Sequence, residues 1–273
     1  MKIIRGKKAL VTGAASGIGR AIANALAKEG ADLYLVDIDE TNLRATALEA
    51  ESCGITVASY VVDLSEPAAI TAFVNSLRSS ASRLDILVNN AGVSYYGRTE
   101  SMTAEQWSRL LAVNLLAPIQ LVRELLPLLA AQDEAHILNV CSLLGLVPAR
   151  KVTAYQVSKF GLVGFTAALR VEYARPSFGV TALCPGFVRT RMLENHATGT
   201  PEQPRHQFPA WICTSADNVA MNAIRAIRSN KGLVVLTPLA RLWWWLARLS
   251  PELADWIARE GWRRKGRIDI ARR

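Results

Sequence analysis

Ala9-Leu10-Val11-Thr12-Gly13-Ala14-Ala15-Ser16-Gly17-Ile18-Gly19 is the stretch whose reading decides the fold. Its first three residues form a short apolar run that reads as a buried strand. Glycines at 13, 17 and 19 follow, and residues 20–28 are rich in helix formers, with Gly30 as a stop. Strand, glycine turn and helix open a βαβ unit. Glycines there let the backbone approach a pyrophosphate, whose charge the helix N-terminus stabilises. An ordinary tight turn would use the same residues, so the rest of the chain decides between the two.

Asp32-Leu33-Tyr34-Leu35-Val36-Asp37 reads as a second strand, ending eighteen residues beyond Gly19. A carboxylate at that end can accept hydrogen bonds from ribose hydroxyls and repels a 2′-phosphate, which favours NAD over NADP. Asp37 could equally cap the helix that starts near Glu40. Further strands are predicted at 56–62, 84–88, 137–140, 180–183 and 233–236, and helices at 67–79, 103–131 and 153–174. Pro118 and Pro127 are expected to kink or divide the second of these helices. The alternation predicts an α/β fold, a doubly wound Rossmann-type parallel sheet of about seven strands with helices on both faces. Gly13, Asp37, Asp63, Asn90, Ser142 and Pro185 all fall just after strands, the edge where such sheets bind ligands.

Tyr155-Gln156-Val157-Ser158-Lys159 places a phenol and an ammonium one helical turn apart on one face. A free phenol titrates near a pKa of about 10. A cation held beside it favours phenolate, so the spacing predicts a tyrosine pKa lowered toward neutrality and a candidate acid/base. A solvated helix face could carry the same spacing. Ser142, thirteen residues upstream, and the glycine turn favour chemistry.

Taken in order, this set resembles the short-chain dehydrogenase/reductase family. The matching residues are Thr12 to Gly19, Asp63, Asn89-Asn90-Ala91-Gly92, Asn114, Ser142, Tyr155 with Lys159, and Pro185-Gly186 followed by Thr190. The resemblance spans about residues 7–237 and implies NAD(P)-dependent interconversion of an alcohol and a carbonyl. It implies Tyr155 as general acid/base and Lys159 as the group that binds the nicotinamide ribose and lowers the tyrosine pKa. Ser142 would hydrogen-bond the substrate oxygen, and Asn114 would hold a water in a proton relay. The implied cofactor contacts are Gly13, Ser16, Ile18, Asp37, Asp63, Leu64, Asn90, Ala91, Gly92, Tyr155, Lys159, Pro185, Gly186, Val188 and Thr190. Homodimers or homotetramers, assembled through the helices that carry Asn114 and Tyr155, are also implied. Cys141 stands where a serine is common, and Cys184 precedes Pro185.

The 273 residues are 51% hydrophobic, enough for one large core. No apolar run is expected to reach the length of a membrane span, and the N-terminus lacks a signal-peptide apolar region. Cys53, Cys141, Cys184 and Cys213 show no paired spacing and read as reduced, mostly buried thiols, which points to the cytoplasm. His136, His196 and His206 lack metal-ligand spacing, so no metal is expected. Apolar residues after the strands, Val93, Tyr95, Tyr96, Leu143, Leu144, Leu146 and Val147, together with Met192, Leu193, Phe208 and Trp211 in a substrate lid near 190–215, suit a lipophilic alcohol or ketone. Ordinary core packing would account for many of them. A fatty or long-chain acyl substrate is the leading expectation. A hydroxysteroid is the nearest alternative, and a non-catalytic NAD-sensing protein at a membrane is the alternative from another class.

From Arg225 to Arg273 twelve Lys/Arg face four Asp/Glu, which is +8 of the chain's net +9. Residues 1–237 read as the catalytic domain and 238–273 as an amphipathic, basic extension. Leu239, Leu242, Trp243, Leu246 and Leu249 form one helical stripe, and Arg241, Trp245 and Arg248 flank it. Such a helix suits the headgroup region of an anionic bilayer, at the inner face of a membrane, or it packs on the enzyme body or a second subunit. No recognition motif accompanies the charge, so nucleic acid is not expected as a partner.

Overall fold

Seven parallel strands form one sheet in the computed structural model, which describes residues 1–81, 83–189, 197–198 (as backbone) and 213–259. They are β1 (Lys8–Thr12), β2 (Asp32–Asp37), β3 (Val57–Val61), β4 (Ile86–Asn89), β6 (Ala135–Val140), β7 (Phe178–Cys184) and β9 (Leu233–Val235). Their spatial order is β3-β2-β1-β4-β6-β7-β9. The chain winds outward from β1 in one direction and from β4 in the other, so the order reverses between these two strands. A small second sheet pairs β5 (Tyr95–Tyr96) with β8 (Ala197–Thr198), which sequence reasoning did not foresee.

Strand residues alternate between two covering layers, as a period of two demands. Val11, Leu33, Leu35, Ile86, Val88 and Leu138 pack under α1 (Gly17–Lys28), α2 (Glu40–Glu51) and α7 (Ala216–Ser229). Leu10, Val36, Leu87, Ile137 and Val180 face α3 (Pro67–Ser80), α5 (Ala117–Ala130) and α6 (Thr153–Tyr173). Each fully buried leucine or isoleucine stabilises these layers by roughly 1.5–3 kcal/mol. α8 (Pro238–Leu249) closes the β9 end, with Ala240 buried and Trp244 packed beside Cys141, Leu162 and Val235. The segment after 237 is therefore docked on the body along one side, and a separate helical run, 251–259, follows the non-helical Ser250.

The long helical pattern is one continuous run, Ala104–Ala130. Thr103 opens it with a capping box completed by Gln106. α4 (Ala104–Leu111) passes into α5 through a π-turn, Ala112–Leu116. Pro118 supplies the cause, because it has no N–H to give the carbonyl of Asn114 four residues back. The Ala117 N–H instead reaches Ala112, and Pro127 is accommodated within α5. By length and composition this run is apolar enough to cross a membrane, which corrects the expectation that no stretch would be. Leu121, Leu125 and Leu129 are buried against the sheet, so that apolar face belongs to the core. The cysteines are all free, but Cys53 is exposed and only Cys141 and Cys184 are fully buried.

His136 on β6 is buried, with Nε2 sharing a 2.9 Å hydrogen bond with Thr181 Oγ1 and Nδ1 left without a partner. Burial, then the Met1 ammonium and the Arg170 guanidinium, push its pKa down from 6.5 to about 3. Between those values the unfolded chain binds a proton that the folded chain refuses, so stability is complete above about pH 6.5 and falls as the pH drops toward 3. The slope from this group is at most about 1.4 kcal/mol per pH unit. Urea midpoints followed from neutral pH into acid should show it, and His136→Gln should flatten the fall. An unchanged acid slope in that variant would mean the imidazole is not held neutral.

Candidate active site

The reversal between β1 and β4 opens a crevice at the carboxyl ends of the strands, where such sheets bind ligands. Thr12, the last residue of β1, ties the two sides together. Its Oγ1 accepts from the N–H groups of Asn90 (3.0 Å) and Ala91 (3.1 Å). Asn90 Nδ2 donates to the carbonyls of Thr12 (3.0 Å) and Gly13 (3.1 Å). A side chain at Gly19 would place its Cβ 1.9 Å from the Gly13 oxygen, so α1 can cross the loop only as glycine. Ser16 caps α1, yet its hydroxyl bonds none of the first-turn amides, and that turn holds no acidic residue. Those amides and the helix dipole are open to an anion.

Asp37 ends β2 at the rim of this crevice. Its carboxylate accepts from the N–H groups of Ala15 (2.9 Å) and Asp39 (3.0 Å), which fix its direction. The cap of α2 is Asp39, not Asp37, so the helix-cap reading of Asp37 does not hold. Across the opening, hydrogen bonds from the Ser65 hydroxyl and N–H hold the Asp63 carboxyl below its usual range, and Arg109 adds to the effect.

A cavity of about 250 Å³ joins these groups. Of the residues expected to hold a cofactor, Gly13, Ser16, Ile18, Asp37, Asp63, Leu64, Asn90, Ala91, Gly92, Tyr155 and Lys159 line it. Pro185, Gly186 and Val188 do not. The Pro185 carbonyl accepts from Leu143 N–H at 2.8 Å, which stitches the ends of β6 and β7. Gly186 lies against Thr237 and Ala240, and Val188 is buried and bridged to Thr214. Thr190 and the lid residues Met192, Leu193, His196, His206, Phe208 and Trp211 lie outside the described residues. Sequence reasoning missed Ile38, Val62, Arg109, Val113, Val140 and Cys141 as lining residues. Arg109 and Val113 are four apart on one helical face, a signal that the periodicity carried but that core packing explained equally well.

At the floor of the cavity, Lys159 is buried and its Nζ donates to the Val140 carbonyl at 3.0 Å. The same ammonium lies 5.7 Å from the centre of the Tyr155 ring. Ser142 follows β6 and caps a short turn, Leu143–Gly145, through a 3.1 Å bond from Leu144 N–H to its Oγ. Gly145 lets that turn press on α6, since a Cβ there would come 2.6 Å from the Lys159 carbonyl. The Tyr155 ring is part-exposed, but protein crowds its hydroxyl, and burial pushes its pKa up to about 12. The Ser142 hydroxyl acts in the opposite direction and does not overcome it. Burial lowers the pKa of Lys159 in turn. The expectation of a tyrosine lowered toward neutrality is therefore reversed, because desolvation of the phenol dominates.

Asn114 is buried in the π-turn with its side chain fully committed. Oδ1 accepts from Val93 N–H (2.8 Å), and Nδ2 donates to the Val93 carbonyl (2.9 Å) and Ser158 Oγ (3.2 Å). Its amide clamps the loop after β4 and has no donor left for a water. Pro118 removes the N–H that would bond the Asn114 main-chain carbonyl in an ordinary helix.

A profile of the short chain dehydrogenase family matches residues 7–200. The chain belongs to the short-chain dehydrogenase family. It is thereby related to oxidoreductases, some of them solved in complex with NAD, NADP or NADPH. Probable oxidoreductase EphD of Mycobacterium tuberculosis is 34% identical over 260 residues, covering 91% of this chain. The chain spans only 44% of that protein's length. A Burkholderia phymatum short-chain dehydrogenase/reductase in complex with NAD superposes with a TM-score of 0.81 at 28% identity, over 93% of this chain and 96% of that one. A Sphingobium yanoikuyae short-chain dehydrogenase in complex with NADPH gives 0.75 at 26% identity, over 96% and 95%. The glycine turn, the uncapped first turn of α1 and the fixed carboxylate of Asp37 fit such a dinucleotide.

Proposed function

We propose that the chain is an NAD-dependent cytoplasmic oxidoreductase that interconverts an alcohol and a ketone or aldehyde on a lipophilic substrate of the fatty or long-chain acyl type. The observation that carries this reading is a crevice with Tyr155 and Lys159 at its floor and Asp37 at its rim, with the Ser142 hydroxyl in hydrogen-bond reach of Tyr155. When bound, the dinucleotide supplies hydride acceptance or donation. The protein's own groups handle the oxygen and its proton. The Ser142 hydroxyl donates to the substrate oxygen. The Tyr155 hydroxyl gives that oxygen a proton in reduction and takes one in oxidation. Lys159, at the floor of the cavity, would hold the nicotinamide ribose. A donor placed where charge develops typically contributes on the order of 10²–10³ in rate.

Asp37 supports NAD. Its carboxylate is already fixed by two backbone amides, and Ile38 rather than a basic residue follows it. A 2′-phosphate would meet a negative charge that cannot turn away. The apolar lining supports a lipophilic substrate, but in a narrower form than the sequence suggests. Tyr95 and Val147 are core residues, which leaves Val93, Tyr96, Leu143, Leu144 and Leu146 partly exposed, and of these Val93 lines the cavity. Leu116, Val157 and Phe160 are exposed on the helices carrying Asn114 and Tyr155, which supports assembly of a homodimer or homotetramer through that side. The non-catalytic alternative would leave the buried Lys159 with no chemistry to justify its desolvation.

Two measurements test the reading. Tyr155→Phe should retain NAD binding and lose turnover by about 10²–10⁴-fold. With the tyrosine held high, reduction should be nearly flat across neutral pH because the phenol stays protonated. Oxidation should rise by about tenfold per pH unit, because phenolate is the scarce form. A variant within a few-fold of the parent, or an oxidation rate independent of pH, would remove Tyr155 from this role.

For the cofactor, kcat/KM should favour NAD over NADP, and Asp37→Ala should narrow the ratio. A parent that prefers NADP would contradict the assignment.

A further inference from the structure

α8 shows an outer face that the body does not cover. At about 100° per residue, Leu239, Leu242, Trp245 and Leu249 fall within an arc of roughly 120°. They are 49%, 66%, 50% and 77% exposed. Ala240 and Trp244 point the other way, into the cluster beside Cys141 and Leu162. The structure thus redraws the stripe read from sequence: Trp243 and Leu246 are only partly exposed, and Trp245 joins the outward face. The helical run 251–259 adds Leu253 and Trp256, both exposed.

Basic groups edge this apolar surface. Arg241 and Arg248 are exposed along one margin of the arc. The Arg241 Nε is anchored to the Val235 carbonyl at 2.8 Å, and the Arg248 guanidinium lies 6.0 Å from the Trp244 ring centre. Arg259 ends the helical run in an ion pair with Asp255 at 2.9 Å, and the sequence beyond it carries Arg263, Arg264, Lys265, Arg267, Arg272 and Arg273 against Glu260 and Asp269. Leucine and tryptophan bordered by arginine match the acyl–headgroup boundary of an anionic bilayer. A second copy of the chain would bring the same positive charge against itself, which favours lipid as the occupant.

We propose that the outer face of α8, with Leu253 and Trp256, docks the enzyme on an anionic lipid surface. The inner side of α8 rests on the strand ends that carry Ser142 and Pro185, with a Cβ at Gly186 3.6 Å from that of Ala240. One helix diameter, about 10 Å, separates the docking face from those strand ends. A lipophilic substrate could pass from the bilayer to the crevice without crossing bulk water. That use of the surface rests on the function proposed above, whereas the docking itself does not.

The test uses the full chain and vesicles of phosphatidylglycerol mixed with phosphatidylcholine, with pure phosphatidylcholine as the control. The parent should sediment with the anionic vesicles at low salt and bind more weakly, but measurably, at high salt, since screening acts on the charges and not on apolar insertion. The exposed-face variant L242S/W245S/L249S should bind at least tenfold more weakly while keeping its affinity for NAD, which shows that it is folded. A parent that stays in the supernatant with anionic lipid at low salt overturns the proposal. So does a triple variant that sediments like the parent but loses a subunit partner by sedimentation velocity, because a second copy would then be the occupant. Failure of the parent to bind NAD would sink the functional reading and leave the vesicle result standing.

Discussion

A buried ammonium with no carboxylate beside it is the constraint on which the site depends. Lys159 makes no ion pair among the described residues, and its Nζ bond is to the Val140 carbonyl. Desolvating such an ion costs several kcal/mol. One hydrogen bond from a charged donor returns only about 1.5–3 kcal/mol. Burial pushes Lys159 toward its neutral form and, separately, Tyr155 toward its phenol. The raised tyrosine is disposed to give a proton rather than to accept one. The surrounding structure holds this unfavourable arrangement in place through the Gly145 turn pressed on α6, the Asn114 clamp on Val93 and the stitch between Leu143 and Pro185.

Most of the architecture was legible because strand and helix periods differ and glycine has few substitutes. Thr12 to Gly19 announced the β1–α1 turn, and the seven strands fell within a residue or two of their predicted positions. Charge states were not legible. The spacing of Tyr155 and Lys159 predicts a cation beside a phenol, but a burial penalty depends on what packs around both, and residues far apart in the chain decide that. Asn114 shows the same limit. Its side chain reads as a polar relay group, yet the fold spends it on a backbone clamp. The lining by Arg109 and Cys141 was hidden because neither type at its spacing distinguishes a crevice from a core or a surface.

The C-terminal helix illustrates how a single pattern serves two surfaces. A stripe counted at helical spacing includes every apolar residue, and only packing shows which of them the body uses. Ala240 and Trp244 close the β9 end beneath the active-site turn, and Leu242, Trp245 and Leu249 are left outward. Both faces belong to one helix, so the strand ends that position Ser142 and the apolar outer face are held at a fixed separation.

The central claim is that burial, not the neighbouring lysine, sets the protonation of Tyr155 in the free protein. Tyrosinate absorbance measured against pH, as the difference between the parent and Tyr155→Phe, reads that group directly. The account predicts no phenolate from Tyr155 until the pH approaches about 12 in the free protein. It also predicts a lower transition once NAD⁺ is bound, because a nicotinamide cation adds the positive charge that the site lacks. A Tyr155 that ionises near neutral pH with no cofactor present would contradict it.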